Sequence, residues 1–210
     1  LEMVFLCQPN NPTGQLADLD LVRRIAEKCA AYGIRLVLDE CFLDFLPECD
    51  ALTAKPLLDA YPNVIILKAF TKLYGMAGVR LGYCLSADEA LLAKMQGAGQ
   101  PWAVSGLAQA AGVAALQETA YVARVRALIA GQRPNLAGGL RGLGLRVVGG
   151  RANYLLFQGP ADLGETLRPK GVVLRSCANY PGLDGTWYRT AVRTAPENAQ
   201  LFETLREVLQ

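Results

Sequence analysis

Histidine is absent from the 210 residues. Its absence removes Ser-His and Cys-His nucleophile schemes and leaves any acid–base work to lysine, tyrosine, cysteine or carboxylates. The six cysteines (Cys7, Cys29, Cys41, Cys49, Cys84 and Cys177) include no Cys-x-x-Cys pair. Without that spacing no metal site is expected, and the thiols read as reduced and mostly buried. A charge excess is also missing. Twenty-one Lys and Arg against 19 Asp and Glu leave a net charge of +2, too weak to argue for nucleic acid or a membrane surface. No apolar run reaches the roughly 18 residues of a spanning helix, and no signal-peptide pattern opens the chain. A cytoplasmic protein is therefore expected.

Apolar residues make up 52% and charged residues 19% of the chain, an ordinary balance for a protein with a real core. The length suggests one domain or two small ones. "MVFLC" (3–7) predicts a short buried strand, and "QPNNPTG" after it a turn. Residues 18–32 carry an apolar stripe at helical spacing, with Asp18 near its start. "IRLVLDE" (34–40) and "VIILKAF" (64–70) predict two further strands, and "GVRLGYCLS" (78–86) a fourth. Strands this continuously apolar, joined by a helix, imply a largely parallel α/β sheet. In such sheets working residues gather at the carboxyl ends of strands. Asn11, Asp39 and Lys72 each lie just past one.

From Ser105, a plausible N-cap, the sequence becomes alanine-rich and helical, with Pro134 expected to kink or restart the helix. Strands are then expected in "RVVGG…NYLLFQ", "GVVLRSC" and "WYRTAVRT", with a helix in "DLGETLRP". A closing helix should open on Thr194 and Glu197 at capping-box spacing. The expected division is 1–105, a connecting helical segment 106–138, and a small α+β domain 139–210. The chain starts at Leu1 inside a strand-like run, so further sequence upstream is expected.

The chemistry concentrates in "LKAFTKLYGMAGVRLGY" (67–83). A strand-end lysine is most often a snorkelling side chain, but a desolvated one has a lowered pKa and can form a Schiff base with an aldehyde. Arg80 lies eight residues beyond Lys72, and a guanidinium there suits a phosphate. Thr71 adds a hydroxyl. Asp39 ends an apolar strand, where an unpaired carboxylate is costly. It could cap or ion-pair, or serve a protonated ring nitrogen. Asn11 could be an ordinary turn residue.

"PNNPTG", "LVLDECFLDF" and "KAFTKLYGMAGVRLGY", in that order, resemble the successive signatures of fold-type I pyridoxal-phosphate enzymes of the aminotransferase class. The resemblance implies the C-terminal part of a large α/β domain, mainly parallel sheet with helices, followed by a small α+β domain. It implies pyridoxal 5'-phosphate as cofactor, with Lys72 carrying it. Asp39 would pair with its ring nitrogen, Asn11 with the ring 3' oxygen, and Arg80 and Thr71 with its phosphate. A narrower likeness runs through "GQPWAVSGLAQAAGVAAL", "GRANYLLF", "VLRSCANYPGLDGTWYRTAVRT" and "ENAQLFETLREVL". These resemble the threonine-phosphate decarboxylase family of cobalamin biosynthesis, with the histidinol-phosphate aminotransferases as close relatives. That likeness implies Arg193 at the substrate carboxylate, Arg175 near the substrate phosphate, and Asn153 assisting at the carboxylate. The substrate would be a small phosphorylated amino acid, and the assembly a homodimer.

Two residues depart from the family pattern. Phe42 stands where many aminotransferases carry a tyrosine on the ring oxygen, and Ala69 where a Ser or Thr usually meets the phosphate. The glycine-rich phosphate cup that the family carries upstream is not in these residues. Three readings follow: a decarboxylase, a phosphate-specific aminotransferase, or a non-catalytic domain that needs a partner chain.

Overall fold

The computed structural model describes residues 1–209. They form two compact units. The first comprises Leu1–Pro9 and Leu16–Arg124; the second comprises Asn10–Gln15 and the described residues from Val125 onward.

The first unit is built on a four-stranded sheet in the order β1-β2-β3-β4, with β1 Met3–Cys7, β2 Arg35–Asp39, β3 Val64–Ala69 and β4 Gly82–Leu85. Helix α1 (Leu19–Ala31) connects β1 to β2, and the Asp18 side chain accepts the Leu21 amide at its start. Its stripe residues Val22, Ala26 and Cys29 pack on Leu36, Leu38, Val64 and Ile66. Val37 and Ile65, which point to the opposite face by strand alternation, are buried too. That double burial is why β2 and β3 read as unbroken apolar runs. β1, expected to be buried, is not: Met3 and Phe5 are exposed on it. A short α2 (Cys49–Leu52) precedes β3. Helices α3 (Glu89–Ala98) and α4 (Gly106–Gln117) follow β4, and the division between units falls inside α5 (Thr119–Gly142).

Strand β4 departs from the expected parallel arrangement. β1, β2 and β3 pair in parallel, but β4 runs antiparallel to β3. A parallel return needs a crossover, usually a helix. The stretch between these strands instead holds a turn and one 3₁₀ turn at Ala77–Val79, and the Phe70 amide donates to the Leu81 carbonyl at 3.1 Å. Gly82 permits the close pairing, since a Cβ there would lie 2.9 Å from the Lys68 carbonyl oxygen.

Ser105 caps α4 through the Ala108 amide. The helical stretch then breaks at Glu118 and not at Pro134, which lies inside the continuous α5. The second unit holds a wholly antiparallel sheet in the order β5-β6-β8-β7. Its strands are β5 Arg146–Val147, β6 Tyr154–Gln158, β7 Arg175–Ser176 and β8 Trp187–Ala191. Helices α6 (Leu163–Leu167) and α7 (Ala195–Leu209) complete it. Leu155, Leu156, Phe157, Leu163, Leu167 and Leu205 are fully buried there. Glu197 accepts from both the backbone and the hydroxyl of Thr194, the glutamate half of the expected capping box. None of the six cysteines forms a disulfide; three are buried and three half-buried.

Candidate active site

In the first unit the candidate residues sit at and beyond the carboxyl ends of β2 and β3. Asp39 is the last residue of β2. Its Oδ1 accepts the Cys41 amide at 3.0 Å, and its Oδ2 lies 3.8 Å from the Cys7 sulfur on the neighbouring strand. One carboxylate edge is thereby fixed by local backbone. The Cys41 thiol is pushed up to about 12, first by burial and then by its contact with Asp39, so it stays protonated beside that carboxylate.

Thr71 and Lys72 follow β3 directly. Lys72 is exposed, and its Nζ stands 5.7 Å from the centre of the Phe42 ring. Arg80 is on the returning limb of the same loop, which the Phe70–Leu81 and Met76–Phe70 backbone bonds hold closed. Its backbone is left-handed, with φ 59°, a conformation uncommon for a residue with a side chain. Its Nη1 donates to the Ala77 carbonyl at 3.0 Å, and the guanidinium is otherwise exposed.

Beneath this edge lies a group that the sequence reading missed. Lys68, the penultimate residue of β3, is only 4% exposed. Its Nζ meets Glu40 Oε2 at 3.0 Å and Asp44 Oδ1 at 2.9 Å. Glu40, also buried, takes the Thr53 hydroxyl at 2.7 Å and the Ala54 amide at 2.8 Å. Burial pulls the Lys68 pKa down, but the two carboxylates outweigh it and hold the ammonium above its ordinary value. The available signal was a lone cation inside an apolar strand, with two acids four positions apart in "DECFLD".

In the second unit Asn11 is the centre of a small polar cluster. Its Oδ1 accepts from Arg189 Nη1 and from the Tyr180 hydroxyl. With the oxygen committed to two donors, the amide nitrogen remains to donate. The Asn10–Gln15 turn is itself anchored, because the Tyr154 hydroxyl donates to the Asn10 carbonyl at 2.8 Å and the Arg151 amide to that of Gly14. The Arg189 guanidinium also lies over the Tyr154 ring, 5.0 Å from its centre.

Arg189, not Arg193, is the arginine that shares Asn11. It also stands directly opposite Arg175 across the β7–β8 pair, where facing residues project to one side of the sheet. Among the described residues no carboxylate pairs with either one. Arg175 donates to Asn179 at 3.1 Å. Arg193 lies beyond the end of β8, exposed and paired with Glu197 at 2.8 Å, beside a cavity of about 340 Å³ lined also by Leu174, Thr190 and Asn198. Position explains the difference. The expected strand "WYRTAVRT" ends at Ala191, and Arg193 falls into the cap of α7. Asn153 precedes β6. Its side-chain oxygen is buried with no partner among the described residues.

A carboxylate and a lysine beyond adjacent parallel strands, with an arginine on the lysine's own loop, define an α/β unit of the fold-type I pyridoxal-phosphate class. The chain belongs to the aminotransferase class I and II family, whose model matches residues 1–205. Pyridoxal 5'-phosphate is the cofactor of that family. Among curated relatives, the chain is 40% identical to a threonine-phosphate decarboxylase of Salmonella typhimurium, over all of this chain and 58% of the relative. It is 37% identical to a histidinol-phosphate aminotransferase of Symbiobacterium thermophilum, over 99% of this chain and 57% of the relative. It thus spans somewhat over half the length of either. Among solved structures, the histidinol-phosphate aminotransferase of Clostridium acetobutylicum superposes with a TM-score of 0.94 at 25% identity, over 100% of this chain and 64% of that one. A histidinol-phosphate aminotransferase of Sinorhizobium meliloti, solved in complex with pyridoxal 5'-phosphate, gives 0.83 at 27% identity, over 99% and 57%.

Proposed function

We propose that the protein decarboxylates L-threonine O-3-phosphate to (R)-1-amino-2-propanol O-2-phosphate, as a cytoplasmic homodimer serving cobalamin biosynthesis. The observation that carries this reading is the Arg175–Arg189 pair. Like charges directly opposite on paired strands are destabilising, and a ligand with two anionic groups relieves that. Threonine phosphate carries a carboxylate and a phosphate; histidinol phosphate carries a phosphate alone, but 2-oxoglutarate, the acceptor in transamination, carries two carboxylates. The pair therefore fits a doubly anionic ligand, and the choice between the reactions leans on sequence likeness. The 40% identity to a threonine-phosphate decarboxylase over the full chain supports decarboxylation. Phe42, in place of a tyrosine hydroxyl, supports it too.

Several residues fit the family's cofactor. Lys72 would carry it, Asp39 would hold a proton on its ring nitrogen, Arg80 and Thr71 would hold its phosphate, and Asn11 would donate to its ring oxygen. The structural basis for the fit is the donor set: a carboxylate with one edge tied back by the Cys41 amide, and an asparagine whose oxygen is already committed. When bound, pyridoxal phosphate supplies an electron sink for the pair left at Cα.

The chain's own residues then supply position and protons. Arg189 takes the substrate carboxylate in the role that the family likeness gave to Arg193, and Arg175 takes the phosphate, each offering a planar fork. Asn153 stands by at the carboxylate. Holding both anions fixes the bond that breaks, which is an orientation effect. After carbon dioxide has left, Lys72 Nζ, freed from the cofactor by the substrate's own amine, would deliver a proton to Cα.

Transamination is the competing reading, favoured by the 37% identity and the 0.94 superposition on aminotransferases. The deciding experiment supplies threonine phosphate to the protein expressed from its complete reading frame, with pyridoxal phosphate present. Carbon dioxide released in step with the amino-propanol phosphate, without 2-oxoglutarate, is the expected result. A keto acid formed only when 2-oxoglutarate is present assigns the aminotransferase instead.

A further inference from the structure

Three ionised side chains, Lys68, Glu40 and Asp44, meet at the base of the first unit's strand-end edge. Such a cluster is a poor stability device. Desolvating charges is expensive, and well-packed apolar replacements are often as stable or more so. Its connectivity is more informative than its charge. Glu40 and Asp44 are the two ends of the segment that leaves β2, and Lys68 binds both from β3. Glu40 is further fixed by Thr53 and Ala54, so its carboxylate receives three donors in all.

Two candidate site groups depend on that segment. The Cys41 amide, inside it, holds Asp39 Oδ1. Phe42, at its middle, presents its ring to Lys72 Nζ. Lys72 lies four positions beyond Lys68 on the same limb of the chain. One buried cation therefore ties the Asp39–Phe42 wall to the limb that carries Lys72.

We infer that Lys68 is a positioning residue: by clamping both ends of segment 40–44 to β3, it sets the Asp39 carboxylate and the Phe42 ring relative to Lys72. Its bearing on the cofactor rests on the proposed function, in which Lys72 and Asp39 serve pyridoxal phosphate. Its bearing on the segment stands on geometry alone. Tyr83, the cross-strand partner of Lys68 on β4, lies near enough to Asp44 for that charge to help raise its pKa after burial. It belongs to the electrostatic surroundings of the clamp.

The test uses the full-length protein and three variants. Asp44→Asn leaves the Lys68–Glu40 pair in place, Lys68→Met removes the clamp, and Lys68→Arg keeps a cation with a fork for two carboxylates. The first readout is amide exchange in the cofactor-free protein, where local opening reports local anchoring. The Cys41 amide should exchange about tenfold faster in Asp44→Asn, while the Leu36 amide, bonded to the Asn63 carbonyl deep in the sheet, stays unchanged. Lys68→Met should speed Cys41 exchange likewise, and Lys68→Arg should keep Cys41 protection at the wild-type level. The second readout is borohydride trapping at limiting pyridoxal phosphate, in which the pyridoxyl adduct at Lys72 should fall severalfold in Asp44→Asn and stay at the wild-type level in Lys68→Arg.

Unchanged Cys41 exchange in Asp44→Asn overturns the inference. So does equal acceleration at Cys41 and Leu36, which would make the cluster a general stability element. Should Lys68→Met fail to fold, the other two variants still decide. A wild-type protein that takes no cofactor at Lys72 refutes the proposed function, and Cys41 exchange alone then decides whether Lys68 positions the segment.

Discussion

Replacing Arg189 and Arg193 in turn separates two arginines that lie four residues apart in one sequence motif. Arg189 touches Asn11 and lies over Tyr154; the Arg193 side chain pairs with its helix-cap neighbour Glu197 and is 64% exposed. If Arg189 grips the substrate carboxylate, Arg189→Leu removes hydrogen bonds to a charged group worth about 1.5–3 kcal/mol each. A bidentate grip then corresponds to roughly 3–6 kcal/mol. At about 1.4 kcal/mol per factor of ten, kcat/KM for threonine phosphate should fall by roughly two to four orders of magnitude. Arg189→Lys should recover only part of that, because an ammonium lacks the planar fork. Arg193→Leu breaks an exposed ion pair of a kind that contributes little, so kcat/KM should stay within about twofold. The assay is carbon dioxide release at substrate concentrations well below KM. A larger loss in Arg193→Leu than in Arg189→Leu would refute the reasoning and return the carboxylate to Arg193.

Three further outcomes are expected. Gly82→Ala should lower stability by about 1–3 kcal/mol, read from the denaturant midpoint, because the new Cβ would press on the Lys68 carbonyl, which is backbone and cannot swing away; an unchanged midpoint refutes it. The Glu197 carboxyl is held down to about 2 by the Thr194 hydroxyl first, then by Arg193 and the Thr194 amide. A depressed folded-state pKa gives stability that is fully present above the unfolded value of about 4.3 and is lost as pH falls toward 2. Glu197→Gln should therefore lower the urea midpoint at pH 6 and match the wild type near pH 2, and an equal gap at both pH values speaks against the capping-box account. Phe157→Ala, at a fully buried ring 5.9 Å from that of Tyr188, should cost about 3–5 kcal/mol in equilibrium unfolding, and a loss below 1 kcal/mol would place the second unit's core elsewhere.

Much of the fold was legible because local chemistry and burial agree. The apolar runs at 3–7, 34–40 and 64–70 became β1, β2 and β3, and Asp18, Ser105 and Glu197 became the caps their spacing suggested. These are short-range rules: a side chain of the right kind at the right offset satisfies the free amides of a helix start. The reading failed where the outcome depended on more distant partners. The helical stretch broke at Glu118 and did not restart at Pro134, which lies inside α5. The strand ending at Ala191, two residues short of Arg193, is set by its pairing with β6.

By itself the sequence determined the α/β character of the first unit, its parallel β1–β2–β3 core and the order of its cofactor-type motifs, all of which follow from residue type and period. Only the tertiary structure decided the antiparallel return of β4, because strand direction depends on how the intervening loop closes. It alone joined Arg189 to Asn11 across 178 positions of sequence and set Arg175 opposite it. It alone turned Lys68 from a cation in an apolar strand into a clamp on Glu40 and Asp44. A buried charge is tolerable only where its partners meet it, and a linear chain does not say which groups those are.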